Sequence, residues 1–171
     1  MTPAGPLAAT TLALAAVLAP AAVRPRPVLL WNATASAPVG LYHVHTGGRL
    51  RRGDWVAVEP PPAFGQMLAA RGYLPPHVPL VKQVAALSPS QVCRTGAMVS
   101  VDGTPRAVAR GADRQGRALP VWQGCRALTD DEMFLLNPAR DSLDSRYFGP
   151  LRGRAVIGRL TLLWRVRGAA P

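Results

Sequence analysis

Residues Leu80–Leu87 read Leu-Val-Lys-Gln-Val-Ala-Ala-Leu, and this apolar stretch contains Lys82, the single lysine of the 171-residue chain. All the other basic side chains are arginine. An arginine guanidinium stays protonated in proteins, whereas a buried lysine can lose its proton and act as a base. Val81, Val84 and Leu87 offer an apolar setting, and desolvation disfavours a charged amine. The stretch therefore predicts a β-strand that carries either an ordinary surface lysine or a general base.

The composition around this stretch favours short strands and many turns over long helices. The chain has 18 Pro, 16 Gly and only 6% aromatic residues, and Pro and Gly punctuate strands with turns. A chain of 171 residues can bury a core of its own. We therefore predict a mainly β fold, with a single domain over residues 28–171.

Individual elements follow from local patterns. Apolar or alternating runs predict strands at Leu41–His45, Trp55–Val58, Glu132–Leu136 and Ala155–Val166. Residues Phe64–Arg71 predict a short helix that stops at Gly72.

The formal net charge of +11 restricts the partners that the chain can attract. Such a charge suits nucleic acid, an anionic lipid surface or an acidic protein. The sequence contains no basic-aromatic stripe and no nucleic-acid motif, so we expect no nucleic-acid partner. A lipid bilayer is the partner that this charge favours.

Residues 1–27 are predicted to form an N-terminal signal or anchor segment. Residues 1–23 carry no charged side chain, and a helix over residues 7–23 would rise about 26 Å, slightly less than a hydrocarbon core. A cleavable signal sequence and an uncleaved anchor both fit this pattern. Arg24 and Arg26 follow the apolar run, which by the positive-inside rule would place the body in the cytoplasm. The topology therefore stays open.

Ser36 lies in a stretch of small residues that ends in Pro38 and Gly40. Small neighbours allow a polypeptide substrate to approach a hydroxyl, while Pro38 fixes the backbone locally. A serine of this kind is usually a turn residue. Combined with a buried lysine, however, Ser36 becomes a candidate nucleophile.

His43 and His45 are two residues apart and share one face of the predicted strand. Protein zinc sites need three or four ligands, and no third ligand stands close in sequence. We therefore expect no metal site and no cofactor.

Cys93 and Cys125 bracket residues 91–126, which we interpret as a β-hairpin insertion. Met98–Val101 alternates as a strand, and Asp102-Gly103 is a strong hairpin turn. Residues 106–117 are polar and predict a mobile loop. The two cysteines predict a disulfide in an oxidising compartment and two free thiols in the cytoplasm.

Three stretches together resemble the signature boxes of the signal peptidase I family. They are Ser36 with Pro38 two residues later, the lysine stretch 81–87 after Arg52-Gly53-Asp54, and Asp-Ser-Leu-Asp-Ser-Arg-Tyr-Phe-Gly at 141–149. The resemblance covers residues 30 to 165 approximately. Ser36–Tyr42 and Arg146–Leu151 resemble more narrowly the TraF-like branch, the conjugative-transfer peptidases that mature a pilin subunit.

The resemblance implies a β-rich catalytic domain with a Ser/Lys dyad, in which Ser36 is the nucleophile and Lys82 the general base. It also implies that Ser142 orients the lysine amine and that Asp144 and Arg146 form a supporting ion pair. The Ser36 backbone N–H, together with the Thr34 hydroxyl, would bind the oxyanion.

The family resemblance also implies a location and a substrate. The catalytic domain would lie on the periplasmic face of the cytoplasmic (inner) membrane. The substrate would be a membrane-bound, pilin-like precursor with small residues before the cut. A general signal peptidase and a non-catalytic anchored β-domain of a transfer apparatus are the alternatives.

The chain also departs from the family pattern at three places. Gln83 follows the lysine where a basic residue is common, and Ser88-Pro89-Ser90 stands where Pro-Gly is usual. Asn137-Pro138 replaces the Gly-Asp-Asn that precedes the third box.

Overall fold

Strands dominate the chain, which confirms the predicted mainly β fold. The computed structural model describes residues 9–14 and 27–166. The strands are β1 Leu29–Asn32, β2 Gly40–His45, β3 Trp55–Val58, β4 Leu80–Leu87, β5 Gln91–Thr95, β6 Met98–Val101, β7 Thr104–Val108, β8 Gly124–Ala127, β9 Glu132–Leu135, β10 Leu151–Arg152 and β11 Val156–Arg165. The helices are α1 Pro62–Ala70 and α2 Ser145–Phe148, with a 3-10 turn at Gly153–Ala155.

Seven strands form the main sheet, in the order β1-β2-β11-β3-β4-β9-β10. Every neighbouring pair is antiparallel. Strand β4, which carries Lys82, lies inside the sheet between β3 and β9, with Lys82 opposite Val56. Interior strands are shielded by neighbours on both edges, so this position favours burial of the lysine.

The two faces of the main sheet pack against different apolar clusters. Leu80 and Val84 belong to the cluster that includes Val56 and Phe64, whereas Val81 packs with the cluster that includes Ala37. Successive side chains of a strand point to opposite faces. Val84 therefore lies on the same face of β4 as Lys82, and Val81 lies on the other face.

Strands β5 to β8 form a second sheet of four strands, in the order β7-β6-β5-β8. Its strands span residues 91–127. Cys93 and Cys125 lie opposite each other in the β5–β8 register and are joined by a disulfide.

The prediction of a mobile loop over residues 106–117 is wrong in its first part. Residues up to Val108 belong to β7, where Ala107 pairs with Val99 of β6. Backbone hydrogen bonds build this strand, and they need no apolar side-chain pattern. Farther on, Asp113 accepts hydrogen bonds from the backbone N–H groups of Gln115 and Arg117, which shape the remaining loop.

Most of the predicted anchor, residues 1–27, lies outside the described residues. Residues 9–14 are helical and exposed. Among residues 9–14 and 27–166, no helix has both the length and the apolar character needed to cross a bilayer.

Candidate active site

Lys82 is buried inside the main sheet, with 3% of its surface exposed. Its Nζ donates a hydrogen bond to Ser142 Oγ at 3.0 Å. Burial lowers the pKa of the amine from 10.5 to about 8, because water no longer solvates its charge; Asp144 opposes this shift and Arg146 adds to it. A lysine with this pKa is partly neutral near neutral pH, as a general base requires.

Asn137 fixes the backbone on both sides of Lys82. Its Nδ2 donates to Val81 O at 3.0 Å, and its Oδ1 accepts from Gln83 N at 3.0 Å. The amide thus takes the place of a strand residue beside β4, just beyond the end of β9. Both flanking peptides are held, so the Cα atom of Lys82 has little freedom to move.

Asp144 and Arg146 form a buried ion pair that organises the polar loop. Arg146 Nε lies 2.7 Å from Asp144 Oδ1, and the Asp144 side chain is fully buried. Asp144 also caps α2 by accepting from Arg146 N, and it accepts from Asn137 N at 3.0 Å. Arg146 in turn donates to Asn137 O. The pair therefore ties the loop that carries Ser142 to the asparagine that holds Lys82.

Ser36 lies on a loop that is built around the buried side chain of Asn32. Asn32 Nδ2 donates to the carbonyl oxygens of Thr34, Ala37 and Pro38. Asn32 Oδ1 accepts from Thr34 N and, at 2.8 Å, from the Thr34 hydroxyl. One amide thereby replaces the backbone pairing that a strand or helix would provide, which gives the Ser36 loop a defined shape.

Ser36 is half-buried as a residue, and its hydroxyl lies 3.4 Å from Thr34 Oγ1. Because Thr34 donates its proton to Asn32, Ser36 is the donor in this contact. Ala37 packs in the same cluster as Val81, whose side chain lies on the face of β4 opposite to Lys82. Within the part of the chain that the structure describes, no hydrogen bond joins Ser36 Oγ to Lys82 Nζ, and no protein group accepts from the Ser36 backbone N–H.

The histidine pair contacts its own neighbours. His43 Nδ1 lies 3.2 Å from His45 Nε2, which lies 3.0 Å from Thr161 Oγ1. Over residues 9–14 and 27–166, no group of three or more His, Cys, Asp or Glu side chains has the geometry to hold a metal ion.

The structure thus joins four of the six expected site residues, Lys82, Ser142, Asp144 and Arg146, in one buried network. Ser36 and Thr34 form a second group around Asn32. The sequence reasoning did not assign Asn32 or Asn137 to the site. Their only signal was position, since each asparagine stands directly beside a predicted site segment.

The family comparison assigns the class of protein. A comparison with protein-family models matches residues 2–165 to the family described as signal peptidase, peptidase S26. The chain therefore belongs to the peptidase S26 family of signal peptidases.

The relatives to which the chain is similar include several conjugal or plasmid transfer proteins. A probable conjugal transfer protein TraF of Sinorhizobium fredii is 35% identical over 137 residues, which cover 74% of this chain and 72% of the relative. The conjugal transfer protein TraF of Agrobacterium fabrum is 35% identical over 140 residues, covering 74% and 77%. A plasmid transfer protein TraF of Escherichia coli is 34% identical over 170 residues, covering 92% and 91%.

Among solved structures, a signal peptidase I from Enterococcus faecalis matches with a TM-score of 0.39 and 17% identity. The match covers 67% of this chain and 98% of that structure.

Proposed function

We propose that the chain is a membrane-associated serine endopeptidase that cleaves signal or pro-peptides from exported precursors with a Ser36/Lys82 dyad. The observation that carries the proposal is the buried Lys82 amine, held by Ser142 with its pKa lowered to about 8. A lysine that served only as a charge would gain nothing from this burial, because desolvation disfavours the charged form.

The chemistry begins with proton transfer from Ser36 to the neutral Lys82 amine. As the proton leaves, Ser36 Oγ attacks the carbonyl carbon of the scissile peptide. The Ser36 hydroxyl must leave its contact with Thr34 for this step, and that contact is weak at 3.4 Å. The protonated lysine then donates to the leaving amine, and a water molecule releases the acyl-enzyme.

Negative charge develops on the carbonyl oxygen during the attack and needs hydrogen-bond donors. The Ser36 backbone N–H supplies one, since no described protein group accepts from it. Thr34 is the second candidate, but its hydroxyl donates to Asn32 in this structure. Thr34 can serve the oxyanion only after its hydroxyl rotates away from that asparagine.

The relatives support a substrate of the conjugation machinery. Their names describe conjugal or plasmid transfer proteins, and the resemblance of Ser36–Tyr42 to the TraF-like branch points in the same direction. We therefore propose a pilin-like precursor as the substrate. General signal-peptide removal is the broader alternative, and it predicts cleavage of many unrelated precursors.

An exposed apolar face supports the proposed contact with a lipid bilayer. Trp31 of β1 and Trp164 of β11 both lie opposite Leu41 of β2, and their rings are 5.8 Å apart. Half or more of the surface of each tryptophan is exposed. Leu29, two residues before Trp31 on β1, extends the apolar face, and the exposed Arg159 and Arg165 lie on the same strand as Trp164.

Tryptophan is enriched at membrane interfaces, and arginine is attracted to anionic headgroups. We propose that this face rests on the periplasmic side of the inner membrane. The Cys93–Cys125 disulfide supports that compartment, because disulfides persist in oxidising spaces.

Quenching by brominated lipid tests the membrane contact, because it reports on each tryptophan rather than on overall attachment. The chain has four tryptophans. Quenching should be lost when Trp31 and Trp164 are both replaced by Phe. It should persist when Trp55 and Trp122 are replaced instead. The opposite pattern would show that this face does not contact the bilayer.

Cleavage of a candidate pilin precursor by the purified full chain tests the activity. Ser36→Ala and Lys82→Met should each abolish cleavage while circular dichroism shows a folded protein. Lys82→Arg should also be inactive, because guanidinium cannot release its proton at a useful pH. Near-normal cleavage by Ser36→Ala would favour the non-catalytic anchored domain.

A further inference from the structure

Two side chains of the second sheet reach the short helix α2 of the site. Arg94 of β5 donates from Nη1 to Arg146 O at 2.6 Å. Trp122, just before β8, donates from Nε1 to Ser145 O at 3.0 Å. The two acceptors are consecutive residues, so the second sheet holds the first turn of α2 from outside.

The carbonyl groups of α2 depend on hydrogen-bond donors from outside the helix, because α2 is too short to supply them. The last four carbonyls of a helix lack partners within it, and α2 contains only four residues. The Gly149 N–H already reaches Ser145 O, and Trp122 adds a second donor there. Arg94 supplies the donor for Arg146 O.

Using Arg94 as this donor costs free energy, because its charged guanidinium is buried. Only 3% of its surface is exposed, and burial lowers its pKa. In the described part of the chain its acceptors are three backbone carbonyls, those of Gly96, Pro120 and Arg146, and no carboxylate pairs with it. Buried charges are normally paired and hydrogen-bonded, so the bonds to these carbonyls are what offsets the burial of the Arg94 charge.

Trp122 is fixed in turn by the main sheet. Its ring meets Phe134 of β9 edge-on, with ring centroids 5.9 Å apart. The Cys93–Cys125 disulfide joins the strands next to both donors, since Cys93 precedes Arg94 and Cys125 follows Trp122 by three residues. The disulfide therefore links the two segments that carry the donors.

A short chain of contacts leads from α2 to the lysine. Arg146 pairs with Asp144 and donates to Asn137, which holds the backbone on both sides of Lys82. Ser142, two residues before Asp144, accepts from the Lys82 amine. Asp144 and Arg146 are also the two charges that act on that amine. Moving the first turn of α2 would therefore change the surroundings of Lys82.

We infer that Arg94 and Trp122 are positioning residues that hold the Lys82 site through α2, which makes the stapled second sheet part of the catalytic unit. The inference rests on the proposed role of Lys82 as a general base. Neither side chain contacts Lys82 or Ser36 directly, so both act through Ser145 and Arg146.

The single lysine of the chain allows a test that does not depend on turnover. Protein grown with ¹³C-lysine gives one lysine side-chain signal, so NMR titration reports the pKa of Lys82 alone. Trp122→Phe removes the N–H donor and retains a ring against Phe134. Arg94→Met removes the second donor. The controls Trp31→Phe and Arg106→Met remove the same groups from exposed positions on β1 and β7.

Loss of either donor should loosen α2 and admit water near the amine, so the pKa of Lys82 should rise by about 0.5 or more. The acidic limb of kcat/KM should move by the same amount, which lowers activity at neutral pH about threefold. Both controls should leave the lysine titration unchanged.

A lysine pKa that stays at the wild-type value in folded Trp122→Phe would overturn the inference, as would an equal shift in the controls. Should Arg94→Met fail to fold, Trp122→Phe decides alone, because it removes only the indole part that donates. Failure of Ser36→Ala to stop cleavage would instead count against the proposed function, while the lysine titration would still report on positioning.

Discussion

Lys82 and Ser142 are 60 residues apart in sequence, yet Lys82 Nζ donates to Ser142 Oγ at 3.0 Å inside the protein. Only 3% of the lysine and 2% of the serine are exposed. The serine hydroxyl is the hydrogen-bond partner that makes burial of the amine tolerable, because an unpaired buried amine would pay its full desolvation cost. The serine also sets the direction in which the lysine head can point.

Ser142→Ala should therefore lower activity without unfolding the protein. A hydrogen bond to a charged group contributes about 1.5–3 kcal/mol, so its loss should reduce kcat/KM by about 10- to 150-fold. Ser142→Thr, which retains a hydroxyl, should recover part of the activity. Ser100→Ala on β6 is the matched control and should behave as wild type. Full activity in Ser142→Ala would show that the lysine needs no such partner.

Replacing Lys82 should change how stability depends on pH. The pKa of Lys82 is about 8 in the folded protein and 10.5 ordinarily. Between pH 8 and pH 10.5 the unfolded chain binds more protons than the folded protein, so wild-type stability rises with pH. Below about pH 8 the folded protein carries the full free-energy cost of burying the charged amine. Lys82→Met removes this dependence.

We expect Lys82→Met to gain stability relative to wild type at pH 7 and to lose about 2–3 kcal/mol of that advantage by pH 10. Urea unfolding of both proteins at the two pH values measures the difference. Other titrating groups are shared and cancel. A difference between the proteins that does not change with pH would mean that the lysine pKa is not lowered.

The Asp144–Arg146 pair should be far more important for stability than the Arg114–Asp141 pair of the same polar region. Both members of the first pair are buried, whereas the second pair is largely exposed. Asp144→Asn leaves a buried guanidinium without its counter-ion and should cost about 3–5 kcal/mol. Asp141→Asn, the control, should cost about 1 kcal/mol or less.

Thermal or chemical unfolding of the two aspartate variants provides the comparison. Equal effects would show that burial does not distinguish the pairs. Addition of Arg146→Met to Asp144→Asn should restore part of the lost stability, because it removes the unpaired charge.

Asn32 should control activity through the shape of the Ser36 loop. Asn32→Asp retains the size of the side chain but replaces the donating amide by a carboxylate that faces the carbonyls of Thr34, Ala37 and Pro38. We expect kcat for the precursor to fall at least about tenfold, since misplaced catalytic groups are costly. Thr34→Val removes one contact to Asn32 and should have a smaller effect. Normal kcat in Asn32→Asp would separate the loop from catalysis.

Much of the fold follows from local sequence patterns. The apolar runs around Lys82, Trp55 and Phe134 place strands close to the observed bounds, because strand burial imposes a two-residue period. The signature stretches place Lys82, Ser142, Asp144 and Arg146 in one site, and they do so through resemblance rather than through periodicity.

The remaining features depend on contacts between distant residues, which a local pattern does not contain. The Asn137 side chain binds the backbone of β4, where its partner Gln83 is 54 residues away in sequence. Nothing in the local sequence distinguishes Asn137 from an ordinary turn asparagine. Residues 106–108 extend β7 into the predicted loop, because the pairing with β6 uses backbone groups. Arg94 and Trp122 contact α2 only through the tertiary packing of the second sheet, which their local sequence does not encode.

The proposed mechanism requires a lysine that is neutral enough to act as a base. The chain contains no other lysine, so NMR titration of ¹³C-lysine-labelled wild-type protein measures this property directly. We predict a single transition with a midpoint near pH 8, in line with the pKa of about 8 that burial imposes. A midpoint near the ordinary lysine value of 10.5 would contradict the general-base role of Lys82.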